Sequence, residues 1–339
     1  MRYKIALVGE AYGAEEEKQR MPFVGASGWL LNQMLEDAGI ERHECFLSNV
    51  FNLRPERNDI ANLCGSKKDV SHGLGPIKAG KYILDRYLPE LQRLRAELED
   101  VNPNIVVALG GTASWALLGD GRISKIRGCI AESNHPRRWK CLPSFHPAAI
   151  LRQWELRAVT VLDLAKAKRQ AEFPDIRRPE RTVYTEPSID DLNWFYENHI
   201  ASAKALAFDI ETTGDTITCI GFAPNSKVAL VIPFLDTRRK GSCYWLDMEQ
   251  EKAAWAFVKK VLSSSIPKIA QNGAYDIGFL WRRYGLAVVN FMEDTMLLHH
   301  SLQPESQKGL GFMGSVYTDE PSWKLMREGK EDETIKRDA

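Results

Sequence analysis

The sequence predicts an α/β protein built from two domains, and three observations support this fold class. The chain has 339 residues, which is long for one domain and comfortable for two. Short apolar runs alternate with longer segments of helical periodicity, which is typical of parallel sheets covered by helices on both faces. Residues 173–189 carry three prolines and several charges without an apolar period, so they are expected to link residues 1–172 to residues 190–339.

The first domain is expected to be a three-layer α/β/α fold around a parallel sheet. Its strands are short apolar runs, and its helices are longer segments in which apolar residues recur every three or four positions. The expected strands are residues 4–9, 44–49, 105–109 and 140–144, and the expected helices are residues 28–38, 80–100, 112–118 and 157–172.

The second domain is expected to be another α/β unit that opens with a helix. The same two patterns, apolar runs of strand length and amphipathic segments, define its elements. The expected strands are residues 205–210, 216–223 and 228–233 with a short one near 269, and the expected helices are residues 190–202, 249–262 and 274–284.

Composition favours an ordinary globular protein. Hydrophobic residues make up 44% of the chain and charged residues 27%. No apolar run approaches the roughly 20 residues that span a membrane, and the N-terminus lacks the pattern of a signal peptide. The six cysteines show no CxxC spacing, so we expect reduced thiols in a cytoplasmic protein rather than a zinc site or disulfides.

One segment of this electrically neutral chain is strongly basic. Residues 122–170 hold eleven lysines and arginines, among them Arg152, against three acidic residues. Such a stretch suits contact with phosphates. A solvated helix face explains the same charge pattern equally well.

A cluster of carboxylates marks the second domain. Asp209 and Glu211 are two residues apart on an expected strand, so their side chains point to one face, where they repel each other. A divalent cation with a preference for oxygen ligands, Mg²⁺ or Mn²⁺, relieves that repulsion. Asn272 and Asp276 follow one helical turn apart, so Asp276 can add a third carboxylate.

These motifs give residues 203–317 a specific resemblance. The segment resembles the proofreading exonuclease domain of family A DNA polymerases, in the DnaQ-like superfamily with its RNase H-like α/β fold. Asp209 and Glu211 match the first family motif, and Asn272 and Asp276 match the second. Residues 293–297 and 308–324 resemble later family segments, especially those of phage-type polymerases.

The resemblance implies metal-dependent 3′→5′ hydrolysis at a single-stranded DNA end. Asp209, Glu211 and Asp276 would hold the ions, and Asn272 would position the DNA or the motif itself. The implied partners are a polymerase domain or other replisome proteins, in a bacterial host cell if the protein is phage-encoded. The third family motif, a Tyr or His followed four residues later by Asp, is absent. The domain is therefore expected to be incomplete, as in the N-terminal part of a longer polymerase, and the chain closes in a charged tail at 327–339.

The first domain carries four ordered motifs, at residues 9–13, 21–28, 48–55 and 145–152. Together they give residues 5–172 a resemblance to the family-4 uracil-DNA glycosylases, particularly phage versions. Such enzymes take a base out of the stack and read its edge, so uracil-containing DNA is a further implied partner.

Each motif supplies a candidate residue for that chemistry. Glu10 can orient a water, Phe23 can stack on the base, and Asn49 can offer one donor and one acceptor to uracil. His146 can donate to the uracil oxygen as charge builds on it, and Ile150 or Leu151 can wedge into the duplex. Each also has a structural alternative: amide binding by Glu10, core packing by Phe23, a turn cap by Asn49 and a loop role for His146.

Two departures from the family pattern bear on activity. Tyr12 replaces a proline, and its ring could fill the mouth of the pocket. The family's iron–sulfur cluster uses four cysteines, but Leu53 stands at one of those positions and the N-terminal pair has no counterpart. No cluster is therefore expected.

Two functions of different classes remain open. The leading hypothesis is an exonuclease with an appended glycosylase-type domain. The alternative is a non-catalytic module that binds DNA or senses uracil, with both sites impaired. A DnaQ-like ribonuclease is a third option, against which the glycosylase-like domain argues.

Overall fold

The computed structural model describes residues 3–239 and 241–321. The chain divides into two compact units, one formed by Met1–Arg178 with Gly311–Ala339 and the other by Pro179–Leu310. Both units are α/β, which confirms the predicted fold class. Within the described residues, no helix combines the length and the apolar character needed to cross a membrane.

The first unit is built on a five-stranded sheet in the order β2-β1-β5-β7-β6. All neighbours pair in parallel except β6, which runs antiparallel to β7 at the edge. The strands of this sheet are β1 (Ile5–Ala11), β2 (Cys45–Phe51), β5 (Ile105–Leu109), β6 (Ala131–Glu132) and β7 (Lys140–Ser144). Two short strands, β3 (Cys64–Gly65) and β4 (Tyr82–Ile83), form a separate antiparallel pair. The helices of this unit are α1 (Ala14–Gln19), α2 (Ala26–Asp37), α3 (Leu88–Val101), α4 (Gly111–Leu118), α5 (Ile123–Ile126), α6 (Pro147–Ile150) and α7 (Leu156–Gln170).

Alternation along the central strand creates two cores, one on each face of this sheet. Leu7 of β1 packs into a core shared with α2 and α7. Its neighbour Val8 points the other way, into a core shared with α3 and α4. This is the three-layer arrangement that the sequence predicts, and it puts the carboxyl ends of β1 and β2 at one edge.

The second unit contains a six-stranded mixed sheet in the order β13-β12-β9-β10-β11-β8. The hairpin strands β9, β10 and β11 are antiparallel, and the other pairs are parallel. Its strands are β8 (Thr182–Tyr184), β9 (Leu206–Thr213), β10 (Thr216–Ala223), β11 (Val228–Pro233), β12 (Lys268–Ala270) and β13 (Phe291–Asp294). The helices are α8 (Ile189–Phe195), α9 (Met248–Leu262), α10 (Gly273–Tyr284) and α11 (Thr295–Leu302), and α12 (Leu310–Tyr317) follows at the end of the described chain.

The structure differs from the expected elements at two places. The helix expected over 80–100 begins only at Leu88, with Pro89 in its first turn, where a missing N–H costs nothing. Part of the expected linker at 173–189 is the edge strand β8, which pairs with β11 through Val183 and Ala229.

The end of the described chain also differs from the expected boundary at 190–339, because α12 groups with the first unit from Gly311 onward. Arg127 donates to Ser315 Oγ over 2.9 Å, and Lys166 donates to the carbonyl of Thr318 over 2.7 Å. Both cations are buried, so they need acceptors, and α12 and the turn after it supply them. Residues 322–324 of the expected helix and turn, and the charged tail at 327–339, lie outside the described residues.

Candidate functional sites

The first unit has an open cavity of about 570 Å³ at the carboxyl ends of β1 and β2. Parallel α/β sheets bind ligands at this edge. Six of the predicted site residues lie in or at this cavity. They are Glu10, Tyr12, Phe23, Asn49, His146 and Arg152.

Gly9 lets two of these side chains meet at the floor of the cavity. A Cβ at Gly9 would lie 2.3 Å from Asn49 Oδ1 and 2.5 Å from Phe23 Cζ. Both distances are far inside van der Waals contact, so only glycine fits. The amide of Asn49 and the edge of the Phe23 ring therefore border the same small space.

Asn49 presents an unused amide to this cavity. The residue is only 2% exposed, and its carboxamide has no hydrogen-bond partner among the residues that the structure describes. Its backbone is fixed from behind, because Arg93 of α3 donates to the carbonyls of Asn49 and Val50 over 2.7 and 3.2 Å. The amide borders the open cavity, where a ligand can pair with both its donor and its acceptor.

His146 faces the cavity as a neutral ring. Its Nδ1 accepts the N–H of Ala148 over 3.1 Å, so the proton belongs on Nε2. Burial lowers the pKa of His146 to about 4, and the nearby charge of Arg152 adds to the fall. The ring also stacks on Phe23, with centroids 5.8 Å apart.

Glu10 lies near the end of β1, and Tyr12 directly follows the strand. Thr112 of α4 donates its hydroxyl to Glu10 Oε2, which fixes the carboxylate. Tyr12 is buried and donates its N–H to the carbonyl of Leu53 over 3.1 Å. Burial raises the pKa of the Tyr12 hydroxyl. The tyrosine thus forms part of the wall, and the cavity remains open beside it.

The two candidates for the predicted wedge, Ile150 and Leu151, differ in how exposed their side chains are. Ile150 is 0% exposed and belongs to the core beneath the sheet, so its side chain cannot reach DNA. Leu151 is 50% exposed and lines the cavity rim beside Arg152.

Sequence reasoning missed several residues that support this cavity. Thr112 and Arg93 hold the Glu10 and Asn49 positions from other helices, and buried Glu16 lines the cavity itself. Glu16 belongs to the GAEEEK segment, where its neighbours are exposed and nothing local distinguishes it.

The residues present do not fit an iron–sulfur cluster. Leu53 packs against the apolar core that includes Ile60, Leu63 and Ile83. All six cysteines lie in the described part of the chain as free thiols. That part has no group of three Cys, His, Asp or Glu able to hold a metal.

The second unit carries its carboxylates on β9. Leu206, Phe208 and Ile210 are buried, whereas Asp209 and Glu211 point to the opposite, exposed face, as the two-residue period predicts. Burial and the Glu211 charge raise the pKa of Asp209. On the neighbouring strand β10 the facing partner of Asp209 is Gly221, which leaves open space beside the carboxylate.

Asp276 of α10 joins this pair through the strand backbone. Its Oδ1 accepts the N–H of Ile210, between Asp209 and Glu211, over 3.0 Å. Burial raises the pKa of Asp276 to about 6, and the Asp209 charge adds to the rise against the opposing hydrogen bond. Asp276 therefore lies against β9 at the residue between Asp209 and Glu211.

Asp294, whose role the sequence did not reveal, organises the second motif. Its carboxylate accepts the N–H groups of Asn272, Gly273 and Met296 over 2.8–3.0 Å. Asn272 has a φ of +56° at the start of α10 and exposes its side chain. Asp294 therefore holds the turn that aims Asp276 at β9.

The donor chemistry of Asp209, Glu211 and Asp276 fits a hard divalent cation. Carboxylates held close together are stabilised in the ionised form by such an ion, which also keeps several water ligands. In the described ranges, no three acidic, histidine or cysteine side chains form a group that by itself could hold a metal ion. Water would complete the coordination.

Two family models match the chain. Residues 2–172 match the uracil DNA glycosylase superfamily, and residues 184–330 match a 3′-5′ exonuclease family. The type-4 uracil-DNA glycosylase of Thermotoga maritima is 33% identical over 174 residues, covering 49% of this chain and 76% of that protein. The Archaeoglobus fulgidus enzyme of the same name is 31% identical over 172 residues, covering 48% and 74%.

Among solved structures, the chain is similar to exonucleases at low identity. The Trypanosoma brucei RNase D complex with GMP matches with a TM-score of 0.35 and 14% identity, over 45% of this chain. This chain spans only 46% of that RNase D chain. The EXD2 exonuclease domain soaked in Mg and dGMP matches with a TM-score of 0.27 and 15% identity, over 42% and 72% of the two chains.

Proposed function

Because this chain belongs to the uracil DNA glycosylase superfamily and carries a 3′-5′ exonuclease domain, we propose that it processes DNA with two sites. The first unit removes uracil from DNA, and the second removes nucleotides from a 3′ end with the help of Mg²⁺ or Mn²⁺. The resemblance of residues 203–317 to proofreading domains supports a replicative setting, with a polymerase as partner.

The observation that carries the glycosylase proposal is the buried, unpaired Asn49 carboxamide in an open cavity. An amide offers one donor and one acceptor, which is the pattern needed to pair with the edge of uracil. Phe23 lies beside it to stack on the base. Cytosine and adenine present a different order of donors and acceptors, so the same amide discriminates against them.

The chemistry asked of the first unit is hydrolysis of the bond between the sugar C1′ and the base. As that bond breaks, negative charge moves onto uracil, and the neutral His146 Nε2–H can donate to the uracil oxygen. Glu10, held by Thr112, orients a water toward C1′ and accepts its proton. The products are free uracil and an abasic sugar.

In the second unit, Asp209, Glu211 and Asp276 would hold the cation. A bound Mg²⁺ or Mn²⁺ stabilises the charge that develops on the phosphodiester. The protein contributes position: the Ile210 N–H fixes the Asp276 carboxylate, and Asp294 fixes the turn that carries it. In the first unit, exposed Arg152 at the cavity rim supports binding of the DNA backbone, whereas Arg127 and Lys166 of the same basic stretch are buried.

The test pairs two substrates with matched variants. The chain is incubated with a 3′-labelled single strand in Mg²⁺ or Mn²⁺, and separately with a uracil-containing duplex in EDTA. Asp209→Asn is compared with Asp190→Asn, an exposed residue of α8, and Glu10→Gln with Glu36→Gln, an exposed residue of α2.

Nucleotide release that is lost only in Asp209→Asn supports the exonuclease. Alkali-sensitive sites at uracil that are lost only in Glu10→Gln support the glycosylase. Absence of both activities with persistent DNA binding would overturn the enzymatic proposal and favour the non-catalytic DNA-binding module.

A further inference from the structure

The stacking residue of the cavity lies on an uncommon piece of backbone. Phe23 has a φ of +56°, in the left-handed region that bulky residues avoid. Such a conformation persists only where the surroundings fix it. Gly28 makes room for it, since a Cβ there would lie 1.9 Å from the Phe23 carbonyl oxygen.

Glu16 fixes this backbone on its C-terminal side. Its buried Oε1 accepts the N–H of Val24 over 3.2 Å and that of Gly25 over 2.8 Å, the two groups directly after Phe23. A Cβ at Gly13 would lie 2.7 Å from Glu16 Oε2, so the turn before α1 also leaves space for this carboxylate.

Arg42 fixes the other side of the same peptide. Its Nη2 donates to the Phe23 carbonyl over 3.0 Å, and its Nη1 donates to Asn32 Oδ1 of α2 over 2.6 Å. Phe23 is thus held through its own carbonyl and through the next two N–H groups. Few alternative positions remain for its ring.

The same carboxylate connects the two halves of the cavity. Glu16 belongs to α1, which begins two residues after β1, the strand that carries Glu10. The groups that Glu16 binds belong to the segment that carries Phe23. We propose that Glu16 and Arg42 are positioning residues, which set the Phe23 ring at the height of an extruded base and in register with Glu10. This inference rests on the proposed glycosylase function and names how its base pocket is shaped.

A role in helix capping alone gives a different expectation. Gly25 is the residue before α2, so loss of Glu16 would then lower stability and leave recognition of uracil unchanged in the folded protein. A positioning role requires that uracil recognition falls while binding of ordinary DNA does not. The two roles are therefore separable by affinity measurements well below the melting temperature.

The experiment measures anisotropy of a labelled strand with one uracil against the same strand with cytosine, whose edge the Asn49 amide does not match. It uses the full chain in EDTA and in a Glu10→Gln background, so that neither activity degrades the probe. Adding Glu16→Ala is expected to reduce the uracil preference by about tenfold, the scale of one base–aromatic stack. Glu15→Ala, on the exposed face of α1, is the matched control and should keep the preference. Glu16→Gln retains an acceptor oxygen and should keep most of the uracil preference. Arg42→Lys retains a donor and should likewise keep more of the uracil preference than Arg42→Met.

A double-mutant cycle with Phe23→Ala completes the test. If Glu16 acts through Phe23, Glu16→Ala causes no further loss once Phe23 is alanine. A full, additive loss in that background, or an unchanged preference in Glu16→Ala itself, overturns the positioning role alone. A background protein without any uracil preference overturns the proposed glycosylase function, and the inference with it.

Discussion

The backbone N–H of Ile210 donates to Oδ1 of Asp276 over 3.0 Å. This single bond ties the start of α10 to β9 at the point between Asp209 and Glu211. It brings a carboxylate from 66 residues further along the chain to the exposed face of the strand. The arrangement buries Asp276 and concentrates negative charge. Burial raises the pKa of Asp276, and the Asp209 charge adds to the rise.

That concentration predicts a pH-dependent stability. The pKa of Asp276 is about 6 in the folded chain and 3.8 when unperturbed, so the unfolded state gives up its proton first. The contribution of Asp276 to stability is therefore highest below about pH 4 and falls as the pH rises to about 6. In Asp276→Asn, which keeps the acceptor for Ile210, this fall should be absent. Denaturant unfolding of both proteins from pH 4 to 7 tests this, and parallel curves would contradict it.

A divalent cation bound by these carboxylates should offset the loss of stability that follows when Asp276 ionises. Ligands that bind only the folded state stabilise it, so millimolar Mg²⁺ at pH 7.5 should raise the melting temperature of the second unit's transition. EDTA should remove the gain. The gain should shrink in Asp209→Asn and remain in Asp190→Asn; an equal gain in both would place the ion elsewhere.

The space at Gly9 predicts a selective loss of one activity. Gly9→Ala puts a methyl group within 2.5 Å of Asn49 Oδ1 and Phe23 Cζ, so both must move. Displacement of about 1 Å costs about 100-fold in rate, and we expect that loss in uracil release with unchanged exonuclease activity. Gly73→Ala, at a position with no atom within 4 Å, is the control.

The environment of His146 predicts a ring that stays neutral in ordinary buffers. Burial and Arg152 lower its pKa to about 4, so its contribution to stability is present above about pH 6.5 and is lost as the pH falls toward 4. Titration of the ring by NMR should give a midpoint near 4. Arg152→Gln should raise that midpoint because it removes the repelling charge, and an unchanged value would exclude Arg152 as a cause.

Local sequence pattern was sufficient to predict much of the fold and several of the candidate site residues. The two-residue alternation from Leu206 to Glu211 determines which side chains face outward, and the apolar runs predict the strands of both sheets except β6, β8 and β13. The strand ends then bring Glu10 and Asn49 together, because neighbouring parallel strands share an edge.

The supporting contacts could not be predicted in the same way. Arg93 reaches Asn49 across 44 residues, and Thr112 reaches Glu10 across 102. Such partners depend on how helices pack on the sheet, and neither residue has a local signature. The burial of Glu16 beside exposed Glu15 and Glu17 likewise appears only once α1 is placed.

Among these long-range contacts, the buried ion pair under α12 is the one whose disruption is expected to lower stability the most. Arg127 Nε donates to Asp163 Oδ2 over 3.1 Å, with both side chains almost fully buried, and Ser144 also donates to Asp163 over 2.6 Å. Arg127→Met leaves the Asp163 charge without its main partner. Breaking a buried pair in this way costs about 3–5 kcal/mol.

Denaturant unfolding of the first unit should show that loss for Arg127→Met. Ser315→Ala, which removes only a hydroxyl that accepts from Arg127, should cost about 1 kcal/mol. Lys18→Met breaks the exposed pair with Glu15 and should cost less than about 1 kcal/mol. The double change Arg127→Met with Asp163→Leu removes both charges and should recover part of the loss. A double variant no more stable than Arg127→Met would mean that packing, and not the unpaired carboxylate, sets the cost.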